Sequence, residues 1–185
     1  MNRFQFEHTL KAAGRIAKVD ELIVFGSQAI YGSVIDPPEN LVKSIEMDLY
    51  VPDNPSLTGD IDGSLGEGSR FHDTNSYYAH GILPETVILP AEWRGRCKVV
   101  EIFDPAKKKN IRVSCLSPGD LAISKLAAGR DKDFEFVQTL IKEDIVKILE
   151  LNNLVEKIPS ERKEWKKKIS ENICICEKRT KNKSG

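Results

Sequence analysis

Hydrophobic and polar positions change rhythm along this chain, and each change predicts an element. From Phe4 to Lys18 apolar residues recur near helical spacing (Phe4, Phe6, Leu10, Ala13, Ile16, Ala17), which predicts a first helix. Leu22 to Phe25 is a short continuous apolar run, the pattern of a buried strand. It stops at Gly26-Ser27 and resumes at Gln28 to Tyr31 as the start of a second helix, which the Asp36-Pro37-Pro38 breaker must end. Ser44 to Val51, "SIEMDLYV", alternates Ile45, Met47, Leu49 and Val51 against Ser44, Glu46, Asp48 and Tyr50. A period of two predicts a strand with both carboxylates on one face.

Residues 52–72 are rich in turn formers, with a short helix left open in "LTGDIDGSLGEGS". "ETVILP", "CKVVEIF" and "IRVSCLS" then read as strands, separated by "AEWRGR" and "DPAKKKN". From Pro118 the period turns helical. "SPGDLAISKLAAGR" carries its proline in a first turn, and "KDFEFVQTLIKE", "DIVKILELNNLV" and "SERKEWKKKISENICICEKR" follow as further helices. The polar end "KRTKNKSG" is expected to fray. This order predicts an α/β (α+β) chain, with an α/β core over residues 1–117 and a helical region over 118–185 packed on it.

Composition narrows the function classes. At 185 residues and 40% hydrophobic content, the chain can bury one real core. Its 28 basic and 28 acidic residues cancel, which removes any global electrostatic argument for nucleic-acid or membrane binding. Locally, residues 157–183 are basic and 46–73 acidic. No stretch has the length and apolarity of a signal peptide or a membrane span, so a cytoplasmic location is expected. Cys174-x-Cys176 has no second ligand pair at zinc-binding spacing, and Cys97 and Cys115 stand apart from it. Reduced thiols are the expectation.

Three separated pieces carry candidate chemistry. The Gly26-Ser27 turn offers backbone amides and a hydroxyl at a strand-to-helix junction, where a triphosphate can be held, or it simply changes chain direction. Glu46 and Asp48 project from one strand face about 7 Å apart, two strand rises. Carboxylates so placed suit Mg²⁺ bridging substrate phosphates, unless they are solvated surface acids. In "SKLAAGRDKD", Lys125, Arg130 and Lys132 can neutralise phosphate charge while Asp133 orients one of them, although helix surfaces carry such charges routinely. Several further side chains stand between a ligand role and plain packing or solvation. His72 and His80 are candidate base or phosphate contacts, Tyr77, Tyr78 and Trp93 candidate stacking platforms, and Arg94 and Arg96 candidate phosphate contacts. The Lys-rich C-terminal helix offers either an RNA-facing surface or a solvated helix packed by its Trp165, Ile169 and Ile173 face.

The pieces "FGSQAIYG", "SIEMDLYV", "DGSLGEGSRFHDTNSYYAHGILPETVILPAEWRGR" and "LSPGDLAISKLAAGRDKDFEFVQTLI", running from about Leu22 to Ile141, resemble the DUF6036 family of nucleotidyltransferase-like proteins. That family belongs to the wider nucleotidyltransferase fold and is related to AbiEii-type toxins. The resemblance implies a mixed sheet flanked by helices, with a helical C-terminal part. It implies Gly26 and Ser27 on the phosphate loop, Glu46 and Asp48 in place of a metal-binding Asp-x-Asp pair, and Lys125 and Asp133 as the later lysine and aspartate of the toxins. By the same resemblance Glu67, His72 and Tyr78 fall near the pocket, while Arg130 is taken as a nucleotide contact on its charge beside Lys125. The implied activity is transfer of a nucleoside monophosphate from NTP, with Mg²⁺, to tRNA or a protein, in a toxin–antitoxin setting with a cognate antitoxin as partner.

Two departures from that pattern support a second reading. Glu46 replaces the first aspartate, and its longer arm displaces a metal that demands near-octahedral geometry. The third acid, which acts as general base, has no evident counterpart, leaving Glu101, Asp60 and Asp62 as rivals. A catalytically impaired nucleotide-binding or protein-interaction module is therefore the alternative to an enzyme.

Overall fold

Asn2 opens the first helix, α1 (Arg3–Ile16), with a capping box. Its side chain accepts the Gln5 N–H at 2.9 Å, while the Gln5 side chain accepts the Asn2 N–H at 2.8 Å. Phe6, Leu10 and Ala13 on one face are fully buried, whereas Phe4 and Ile16 are exposed. The computed structural model describes residues 1–182.

The chain forms two compact units, residues 1–86 with 97–116, and residues 87–96 with 117 onward. The first holds one mixed five-stranded sheet of order β3-β2-β1-β5-β4. Its strands are β1 (Glu21–Val24), β2 (Glu46–Tyr50), β3 (Tyr78–Gly81), β4 (Lys98–Asp104) and β5 (Lys109–Cys115). β1 pairs antiparallel with β2 and parallel with β5; β2 and β3 are parallel, and β4 and β5 form an antiparallel hairpin. The helices of this unit are α1, α2 (Glu39–Val42), α3 (Thr58–Leu65) and α4 (Arg70–Asn75). The second unit is helical: α5 (Trp93–Arg96), α6 (Pro118–Ala128), α7 (Asp131–Lys142), α8 (Ile148–Glu156) and α9 (Lys163–Asn182). With its mixed sheet and flanking helices, the chain is an α/β protein.

Several expectations need correction. "ETVILP" is not a strand: Pro84–Thr86 is a 3₁₀ turn, and the backbone beyond it finds partners among helices instead of a sheet. The Val87 carbonyl accepts from Arg162 at 3.0 Å, and the Ala91 N–H donates to the Lys157 carbonyl at 2.7 Å. The fifth strand is the four-residue β3. The segment after Gly26 is a six-residue 3₁₀ helix, Ser27–Gly32, shorter than the α-helix the sequence suggests. The alternation in "SIEMDLYV" holds only at its centre, because Ile45 is exposed while Tyr50 is buried against Phe25. "LTGDIDGSLGEGS" does contain a helix, α3. At the polar end, α9 runs on to Asn182, and the last three residues of "KRTKNKSG" lie outside the described residues.

Candidate active site

β1 stops where the backbone turns through Gly26 at φ +59°, a left-handed conformation that costs glycine little. Just before the turn, the Phe25 N–H donates to the Asp48 carbonyl at 2.9 Å, extending the antiparallel ladder that pairs Val24 with Leu49. That register carries the Asp48 side chain over the turn. A Cβ at Gly26 would collide with the Asp48 carboxylate and lie 3.1 Å from its Cγ. Glycine is thus required twice, by its dihedral and by the carboxylate packed on it. Ser27 follows, half-buried. Gln28 is fully buried and donates from Nε2 to the Ser44 carbonyl at 2.9 Å, bracing the approach to β2.

On β2, Glu46 and Asp48 are half-buried on one face, while Met47 between them is fully buried on the other. β3 runs beside them in parallel register, Glu46 with Tyr78 and Asp48 with His80. His80 Nδ1 consequently lies 3.3 Å from Glu46 Oε1 and 3.6 Å from Asp48 Oδ1. One ligand atom from each of the three residues falls within 4.8 Å of the others. Two carboxylates and an imidazole, with no thiol, suit a hard or borderline divalent cation. The acids also reach Tyr78, whose phenol is pushed above its ordinary value by burial and then by the negative charges of Glu46, Glu67 and Asp48. The His72 ring packs 4.9 Å from that of Tyr78. These residues gather around one end of β2 and β3.

None of the three rivals for the missing acid joins this group. Glu101 lies on β4 at the far edge of the sheet, with β1 and β5 between it and β2, and faces Arg112 at 4.0 Å. Asp60 is exposed on α3. Asp62, on the same helix, accepts the Gly81 N–H at 3.2 Å and so anchors the end of β3. The third potential ligand is His80, which the sequence suggested only as a base or phosphate contact. Its signal was the alternation of Tyr78 and His80 in "YAHG", too short and too close to turn formers to read as a strand.

The remaining site candidates belong to the second unit and meet one another there. Asp133 is fully buried; Arg130 Nε donates to it at 2.6 Å, and Lys125 Nζ lies 3.4 Å away. Burial alone would raise the Asp133 carboxyl, but the Arg130 hydrogen bonds and the Lys125 charge outweigh it and hold the group below its ordinary value. Gly129, at φ +71°, makes the turn between α6 and α7 that brings these side chains together.

Other suggested contacts have packing partners. Tyr77 is buried, with its hydroxyl 2.7 Å from His8 Nδ1. Arg94 lies over the Trp93 ring. Arg96 holds the fully buried Asp120 through Nε and Nη2, at 3.0 and 2.7 Å. On α9, Ile169 and Ile173 are buried, Lys168 bonds the Ala127 carbonyl, and Lys166 bonds Glu156, so part of its basic charge is used within the unit. All four cysteines are free thiols.

No curated protein and no solved structure matches the chain. A family model does, over residues 4–175, and its description is a nucleotidyltransferase of unknown function (DUF6036). With a strand-end glycine turn, an acidic pair on the adjacent strand and a match across nearly its whole length, the chain belongs to this DUF6036 nucleotidyltransferase family.

Proposed function

We propose that the first unit binds a nucleoside triphosphate with a divalent cation and transfers the nucleoside monophosphate to an acceptor hydroxyl. The observation that carries this reading is the Asp48 carboxylate packed on Gly26, beside Glu46 and His80. Family membership supports the reaction class. Glu46 and Asp48 hold the cation from one strand face, and the Ser27 hydroxyl donates to a phosphate oxygen. Once bound, the cation neutralises charge on the phosphates. The acceptor oxygen bonds the α-phosphorus as the bond to the β-bridging oxygen breaks. Pyrophosphate leaves with that electron pair, and the hydroxyl proton passes to solvent. The chain's contribution is positioning and electrostatics. Roles for Lys125, Arg130 and Asp133 in nucleotide binding or catalysis enter this proposal from the chemistry of their side chains, with the resemblance adding Lys125 and Asp133. A tRNA or protein acceptor and an antitoxin partner enter through the resemblance alone.

A second reading, nucleotide binding without turnover, is favoured by one observation: no third carboxylate joins Glu46 and Asp48 among the described residues. The test is incubation with Mg²⁺ or Mn²⁺, each α-labelled NTP and total RNA. The expected result is label in RNA or protein from α-labelled but not γ-labelled NTP, reduced at least about a hundredfold in Asp48→Ala. Absence of transfer, or equal transfer by wild type and variant, removes the enzyme reading. Thermal stabilisation by NTP that is lost in Ser27→Trp would then leave the binding module.

A further inference from the structure

We infer that His80 is a third protein ligand of the cation, and that its imidazole makes this an oxygen–nitrogen site preferring a first-row transition dication to Mg²⁺. The inference rests on the reading of Glu46 and Asp48 as metal ligands.

Backbone pairing fixes the arrangement before any cation arrives. The parallel β2–β3 ladder sets Asp48 beside His80, and the Asp62–Gly81 hydrogen bond pins the strand immediately after it. Adjacent ligands of an octahedral ion bound at about 2.1 Å stand about 3.0 Å apart. The imidazole nitrogen is 3.3 and 3.6 Å from the two carboxylate oxygens, so small side-chain rotations close the set. Side-chain exposures of 46% for His80, 38% for Glu46 and 26% for Asp48 leave solvent access for an incoming ion.

Donor chemistry sets the preference. Mg²⁺ takes oxygen ligands in strict geometry, whereas imidazole binds borderline ions with an affinity that rises from Mn²⁺ towards Cu²⁺. The Glu46 departure also acquires a reason. Its longer arm, awkward for an Asp-x-Asp site, brings Oε1 to the imidazole on the neighbouring strand. The competing account is a plain polar contact between His80 and the two half-buried acids. Such a contact contributes little stability and needs no metal.

Co²⁺ distinguishes the two, because it shifts the proton signals of a ligating imidazole. The other two histidines are engaged elsewhere, His8 with Tyr77 and His72 accepting the Gly68 N–H. Titrating the full chain should yield one paramagnetically shifted, D₂O-exchangeable imidazole N–H, together with the visible bands of bound Co²⁺. Mg²⁺ should displace the ion only at concentrations at least about tenfold higher. His80→Gln, at a half-exposed position, should abolish the shifted signal and weaken Co²⁺ at least about tenfold, with Mg²⁺ affinity changed less than about threefold. If Asp48→Asn abolishes Co²⁺ binding while the wild type shows no shifted imidazole and His80→Gln binds normally, the His80 assignment is overturned and the acidic pair stands. If Asp48→Asn binds both ions like wild type, the metal reading of the pair falls with it.

Discussion

Gly26 is where backbone freedom and carboxylate placement depend on each other. Its φ of +59° and the Asp48 side chain packed on its Cα both exclude a Cβ. Gly26→Ala should therefore destabilise the fold by about 1–3 kcal/mol from backbone strain, read by urea denaturation. It should also push Asp48 away, so that NTP with a divalent cation no longer raises the melting temperature. Unchanged ligand stabilisation in Gly26→Ala would contradict the placement of Asp48 in the pocket. The glycine and both acids were legible in the sequence. His80 was not, because its relation to Asp48 is a cross-strand register that separation along the chain does not reveal.

Among elements, α1 and the β4–β5 hairpin are tied by a charge pair that neither contains alone. Asp104, at the end of β4, is inaccessible to solvent and accepts from Arg15, in the last turn of α1, at 2.9 Å through Nε. The Arg15 guanidinium holds the Asp104 carboxyl down at about 2. A lowered carboxylate contributes stability that is complete above the ordinary range near about pH 4 and is lost as pH falls through the folded value. Asp104→Asn should therefore be less stable than wild type at neutral pH, with the difference shrinking as pH drops from about 4 towards 2. Denaturation midpoints across that interval check it, and a constant difference would show that the pair is not the cause. β3 was missed at this scale for a related reason. Four residues carry little periodic signal, and this strand exists because α3 covers its outer side while β2 pairs with its inner one.

At the scale of the whole molecule, chain order and unit membership diverge. Residues 87–96 lie between β3 and β4 in sequence, yet belong to the helical unit. There Arg96 pairs with Asp120, a fully buried acid that also accepts from the Ser117 hydroxyl at 2.6 Å. Arg96→Ala leaves that charge uncompensated and should destabilise the helical unit by about 3 kcal/mol. Both tryptophans, Trp93 and Trp165, lie in this unit, so fluorescence-detected unfolding reads it selectively. A wild-type midpoint in Arg96→Ala would remove Arg96 from any role in holding the unit. No helix among the described residues is long and apolar enough to cross a membrane.

What the sequence determined by itself were the features written in local periodicity and residue type. These include α1, β1 with its glycine stop, the shared face of Glu46 and Asp48, and the helical run from Pro118. Motif identity added the family. Tertiary structure decided everything that depends on pairing between distant segments. It replaced "ETVILP" by "YAHG" as a strand, because hydrogen-bond partners for the first lay among helices and for the second along β2. It set Asp48 on Gly26, and it brought His80 beside Glu46 and Asp48 while Glu101, Asp60 and Asp62 lie outside that group. Strand register fixes which side chains meet, and register is a property of the assembled sheet.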